Sequence, residues 1–70
     1  MTREKIEDMK NEFWTVLEEL VEDLEDKEIE VLEANEEYIV VSDEEDEDEE
    51  ILIYLARANR TIWIEWVQII

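Results

Sequence analysis

The sequence contains no cysteine, no histidine, no glycine and no proline. Without cysteine there is no disulfide, and without cysteine or histidine there is no structural zinc site; the redox compartment stays open. The hydroxyls of Thr2, Thr15, Tyr38, Ser42, Tyr54 and Thr61 therefore have no histidine to activate them, and no nucleophile–base pairing is legible. Glycine-rich phosphate loops are excluded. Tight hairpin turns that need positive φ become costly, so the turns are expected to use Asn, Asp or longer loops. No run approaches the roughly 18 consecutive apolar residues of a membrane span. The start, Met1–Lys5, lacks the apolar core of a signal peptide. The expectation is a soluble cytoplasmic protein, in the host cytoplasm if the source is viral.

Positive charge is scarce as well. Six Lys and Arg stand against 24 Asp and Glu, for a net charge of −18. The imbalance is local: residues 11–50 carry twenty acidic side chains and one basic one, Lys27, whereas residues 1–10 are balanced. Residues 51–70 are slightly positive, with Arg57 and Arg60 against Glu65. A field of this kind repels nucleic acid and anionic membranes and steers the chain toward basic surfaces.

What is present argues for a core rather than disorder: apolar residues make up 46% of the chain, with three Trp. Seventy residues read as one domain, 1–70, of a size where a single core is marginally sufficient. Ile6, Met9, Phe13, Val16, Leu17, Leu20 and Leu24 recur near helical spacing and predict one amphipathic helix over 3–26, widened by Trp14 and Val21. Thr2 is the expected N-cap, with Glu4 and Lys27 placed favourably for the helix dipole.

Alternation predicts strands near 28–34, 38–42, 51–57 and 61–69. The expected turns are Ala34–Glu37, with Asn35 in a left-handed conformation, and Ala58–Arg60. Residues 43–50 read as a solvated acidic loop. The expected fold class is α+β: an N-terminal helix packed on a four-stranded antiparallel sheet, an α-β-β-β-β meander.

One helix covers one face of a sheet, yet the later strands are apolar on both. If Ile39, Val41, Ile51, Ile53, Leu55, Ile62, Ile64 and Trp66 meet the helix, then Tyr38, Val40, Leu52, Tyr54, Trp63, Val67 and Ile69 face away; the opposite assignment leaves an equally apolar set outside. A patch of that kind is expected to be covered, by a second copy in a homodimer or by another partner. Tyr38, Val40, Leu52, Tyr54, Trp63 and Val67 are the candidate dimer or partner face.

The chemistry is expected to be binding, without a cofactor. Paired carboxylates catalyse only in a cleft with distinct environments, which a one-helix chain hardly builds, so an enzyme is not expected. An EF-hand loop begun at Glu44 has Glu49 where Gly is required and Leu55 in place of the closing Glu, so that pattern fails. The acids themselves are the signal. Glu18, Glu19, Glu22, Asp23, Glu25 and Asp26 place about one charge per 2 Å of helix axis, against about one per 1.7 Å in duplex DNA. The like-charge pairs at i, i+4 each cost a few tenths of a kcal/mol, and a sequence chosen for stability alone would interleave lysine.

The candidate array continues through Glu36 and Glu37 and then Asp43, Glu44, Glu45, Asp46, Glu47, Asp48, Glu49 and Glu50. It predicts a nucleic-acid mimic that blocks the basic groove of a DNA- or RNA-binding protein or nuclease complex, with Trp14 as a possible anchor. Viral and phage inhibitors of host defence nucleases are similar in composition, although no residue motif identifies a family. The alternative is a small homodimeric structural or assembly domain whose acidity serves solubility or holds a basic client. An engineered origin fits less well, since designers place Gly in turns and mix surface charges.

Overall fold

The apolar period that runs from Ile6 to Leu24 is broken in the middle, and the expected single helix is two. In a computed structural model describing residues 2–43 and 49–70, α1 spans Thr2–Met9 and α2 spans Leu17–Asp26. The break falls at Phe13-Trp14-Thr15-Val16, aromatic and β-branched residues that lose side-chain freedom in a helix and favour extended backbone. Trp14 uses that extension. Its N–H donates to the Ile62 carbonyl at 2.9 Å and its carbonyl accepts from the Ile62 N–H at 2.7 Å. The indole is buried, so two long-range backbone bonds and a large apolar side chain replace one helical turn. Phe13 and Val16, expected on the core stripe, are instead exposed. Thr2 is the first helical residue and is buried, not an external cap.

The exit from α2 explains why the first strand starts late. The Glu28 N–H donates to the Glu25 carbonyl at 2.9 Å and the Ile29 N–H to the Leu24 carbonyl at 3.0 Å. Glu28 adopts φ 63° between them, completing a Schellman motif at a position where glycine is usual. Ile29 and Leu24, the apolar pair that accompanies such a motif, are both fully buried. Residues 28 and 29 are thereby spent on the turn, and β1 comprises Val31–Ala34. The Lys5 Nζ donates to the Lys27 carbonyl at 2.8 Å, so α1 supplies the cation at the negative end of α2.

The other strands are β2 (Tyr38–Ser42), β3 (Glu50–Ala58) and β4 (Thr61–Ile69), forming an antiparallel sheet in the order β1-β2-β3-β4. Glu50, expected in the loop, opens β3 and pairs with Ser42. Ile6, Met9, Trp14, Leu20, Leu24 and Ile29 pack on one sheet face, against Ile39, Val41, Ile51, Ile53, Ile62 and Ile64, in one buried cluster. The architecture is α+β as expected, with a second helix.

Two bulges set which side chains face the core. In β1 the partner of Val31 is Val41 but that of Glu33 is Val40, leaving Leu32 as an extra residue. In β4 the partner of Ile64 is Leu55 but that of Trp66 is Tyr54, leaving Glu65 as the extra residue. A single inserted residue inverts the alternation beyond it. Trp66, expected against the helix, is therefore on the outer face, stacked on Tyr54 with ring centroids 4.2 Å apart. Val67, expected outside, packs against the core.

The turns are made without glycine. The Asn35 side-chain oxygen accepts from the N–H groups of Glu37 at 2.8 Å and Tyr38 at 2.9 Å. Asn35 thus shapes its turn through its side chain, not through the left-handed backbone expected of it. The β3–β4 hairpin has a two-residue loop, Asn59-Arg60, with φ 51° and 65°. Positive φ at both central residues is the requirement of a type I′ turn, met here by an arginine where glycine is favoured.

Candidate partner-binding surfaces

Leu17, Leu20, Val21 and Leu24 turn the inner side of α2 toward the sheet, and this fixes where its acids go. At 100° per residue, Glu18, Glu19, Glu22, Glu25 and Asp26 fall within a stripe about 120° wide on the opposite side. All five are exposed. They are spread along about 12 Å of axis, a slightly lower linear density than with Asp23 included.

Asp23 is not part of that stripe. It is half-buried, and its Oδ2 accepts the Trp14 indole N–H at 2.6 Å. This carboxylate satisfies a donor that the core would otherwise bury unpaired. Trp14 is correspondingly inside and offers no interface anchor, contrary to expectation.

The remaining predicted acids divide. Glu37 is exposed. Glu36 pairs with Arg57 at 3.3 Å, and Arg57 also donates to the Glu36 carbonyl at 2.9 Å, tying the β1–β2 turn to β3. Both side chains are well exposed, so the ion pair is a weak one. Asp43 is buried, with its N–H on the Glu49 carbonyl at 3.2 Å, because β2 and β3 draw the two ends of their connection together. It is not a surface residue, as had been expected. Glu49 is half-buried and Glu50 exposed. Glu44, Glu45, Asp46, Glu47 and Asp48 lie outside the described residues.

α2 also carries a feature that charge counting missed. Leu17 and Val21, one turn apart and half-buried, floor a shallow depression walled by Glu18, Glu22 and Glu25. The signal was present in the sequence: Leu17 and Val21 at i, i+4 lie at the edge of the apolar stripe, where it meets the acids. The geometry suits a lysine or arginine side chain, whose aliphatic stem would cover the leucine and valine while its head meets the carboxylates.

The opposite side of the molecule is chemically different. Tyr38, Val40, Leu52, Tyr54 and Trp63 are half-buried on the outer sheet face, and Trp66 is 44% exposed there. Phe13 extends this surface by meeting Trp63 edge-on at 6.1 Å. Five of the six expected residues of this face are on it; Trp66 takes the place of Val67. Among the described residues no helix is long and apolar enough to cross a membrane. Comparison with protein-family models, curated proteins and solved structures gives no match for this chain.

Proposed function

We propose that this chain is a non-enzymatic acidic binding protein that occupies the basic groove of a nucleic-acid-binding protein, in the manner of an inhibitor that competes with DNA or RNA. The observation that carries the reading is the α2 surface, where exposed acids border the depression floored by Leu17 and Val21. A solubilising coat needs charge but no apolar floor between the charges. A surface that receives lysine and arginine side chains uses both, since their stems and heads make different contacts.

Glu18 and Glu19 lie in the first turn of α2, where the helix dipole stabilises them, and Glu25 and Asp26 lie at the far end, where it does not. The stripe therefore holds its acids at some cost to the isolated fold, and a cationic partner relieves that cost.

The test is capture from a nuclease-treated cell lysate on the immobilised chain, followed by elution with duplex DNA or with RNA. The expected result is a basic nucleic-acid-binding protein that nucleic acid elutes, that about 0.5 M salt releases by screening, and that a Glu18→Gln/Glu22→Gln/Glu25→Gln variant fails to retain. Captured proteins that resist both nucleic acid and salt, and bind that variant equally well, contradict the proposal.

A further inference from the structure

Across β2–β4 the outer sheet face is uncharged at its centre, and Glu33, opposite Val40 on the edge strand β1, lies at its margin. Glu50 marks one end, and the other carries Arg60 beside the exposed turn acids Glu36 and Glu37. Register places the Glu50 side chain on this face, because Glu50 pairs with Ser42 two residues beyond Val40. At the other end of β3 is the Asn59-Arg60 turn, with Arg60 exposed. Nine strand residues at about 3.4 Å each separate the ends by roughly 27 Å. Between them lie Tyr38, Val40, Leu52, Tyr54, Trp63 and Trp66, with the Tyr54–Trp66 stack near the midpoint.

We infer that this face is covered by a second copy of the chain, packed sheet to sheet with the two β3 strands antiparallel. A two-fold axis perpendicular to the strands, passing near Tyr54, brings each apolar centre onto its equivalent. It also sets Arg60 of each copy over the Glu50 end of the other. An axis parallel to the strands would superpose like ends, arginine on arginine and glutamate on glutamate. Charge complementarity thus selects one of the two face-to-face arrangements.

Edge pairing is the competing route, and each edge strand is interrupted by a bulge, at Leu32 in β1 and at Glu65 in β4. The exposed edge of β4 is bridged at Ile62 by Trp14, and further along it carries the Glu65 bulge. A bulge bearing a charge is a recognised obstacle to strand addition.

The acidic α2 faces do not oppose the inferred arrangement. They lie on the far side of each sheet, and layers about 10 Å apart separate them by several Debye lengths at ordinary salt. Size sets the strength. Three strands across and nine residues along give roughly 400 Å² per copy, about a tenth of the chain's 4709 Å² surface. At roughly 800 Å² in total this is smaller than a standard stable interface and belongs to the weak, transient class, so a weak dimer is expected.

Sedimentation equilibrium of the full chain, from about 1 µM to about 1 mM, tests the association. A monomer–dimer equilibrium is expected, weakened at least tenfold by Trp66→Glu, whose fold is checked by circular dichroism. A monomer throughout, or a folded Trp66→Glu variant with unchanged association, overturns the inference.

Orientation has a separate test, made clean by the absence of native cysteine. Chains carrying Glu50→Cys and chains carrying Arg60→Cys are mixed and oxidised. Mixed disulfides in excess over like-with-like ones support the antiparallel arrangement. An excess of Arg60→Cys linked to itself overturns it.

Discussion

The two broad faces of this molecule are built from the same sheet and obey different rules. On the helical side the strand residues Ile39, Val41, Ile51 and Ile53 are fully buried, and the layer above them ends in five exposed acids. On the other side the residues of β2–β4 are half-buried aromatics and aliphatics, with Glu33 at the β1 margin and Glu50 at one end. One face has closed its apolar surface inside the chain and offers charge; the other offers apolar surface. The difference shows that a net charge of −18 need not describe a whole surface. Among the described residues five acids form one exposed stripe on α2, and association through the two sides should respond differently to salt, charge and substitution.

The sharpest break in the comparison is across a single strand step. Ile53→Ala, on the inner face, is expected to cost about 2–5 kcal/mol by opening a cavity that the helices cannot fill. Leu52→Ala, one residue earlier and outward, should cost less than half of that in dilute solution. Urea unfolding of both variants at a few micromolar makes the measurement, and equal losses would abolish the distinction between faces.

Within the acidic side a second contrast is available. Asp23→Ala strands the buried Trp14 indole N–H and should cost about 1–3 kcal/mol, whereas Glu22→Ala, its exposed neighbour, should stay within about 0.5 kcal/mol. The same unfolding experiment, followed by tryptophan fluorescence, separates a structural carboxylate from one held for a partner.

The smallest effect concerns the turns that join the faces. Arg60→Gly and Glu28→Gly relieve left-handed backbone that costs a residue with a Cβ about 1–2 kcal/mol, offset in part by the greater freedom of glycine in the unfolded chain. A net gain of a few tenths to about 1 kcal/mol each is expected as a raised melting temperature. A loss at Arg60 would mean that its side chain already supports the fold in the monomer.

Much of this was legible in the sequence because it follows from local periodicity. The α+β class and the strand order came from helical period and alternation, and alternation also separated the two residue sets of the sheet, although which set meets the helices needed the fold. Three features did not, each for a physical reason. The helix break at Phe13–Val16 depends on Ile62, which is distant in sequence, so a local pattern read the segment as continuous. The exchange of Trp66 and Val67 between faces depends on one bulge residue, Glu65, which looks from sequence like an ordinary polar position. Asp23 and Asp43 read as members of an acidic series, yet one is committed to an indole and the other buried at a strand end. The α2 stripe was recognised by its charge, but the depression between its acids needed the fold.

The central claim is that the α2 acids act as a positioned set, apart from the general negative field. It is tested most directly by titrating a short arginine-rich peptide into two variants of equal net charge: Glu18→Gln/Glu22→Gln/Glu25→Gln on α2, and Glu4→Gln/Asp8→Gln/Glu12→Gln on the exposed surface at and just beyond α1. The account predicts that the α2 variant loses at least about tenfold in affinity and flattens the dependence of log K on log salt, while the second variant stays within about threefold of the unmodified chain. Equal losses in the two variants would contradict it, and would leave the acidity as a diffuse field with no binding site of its own.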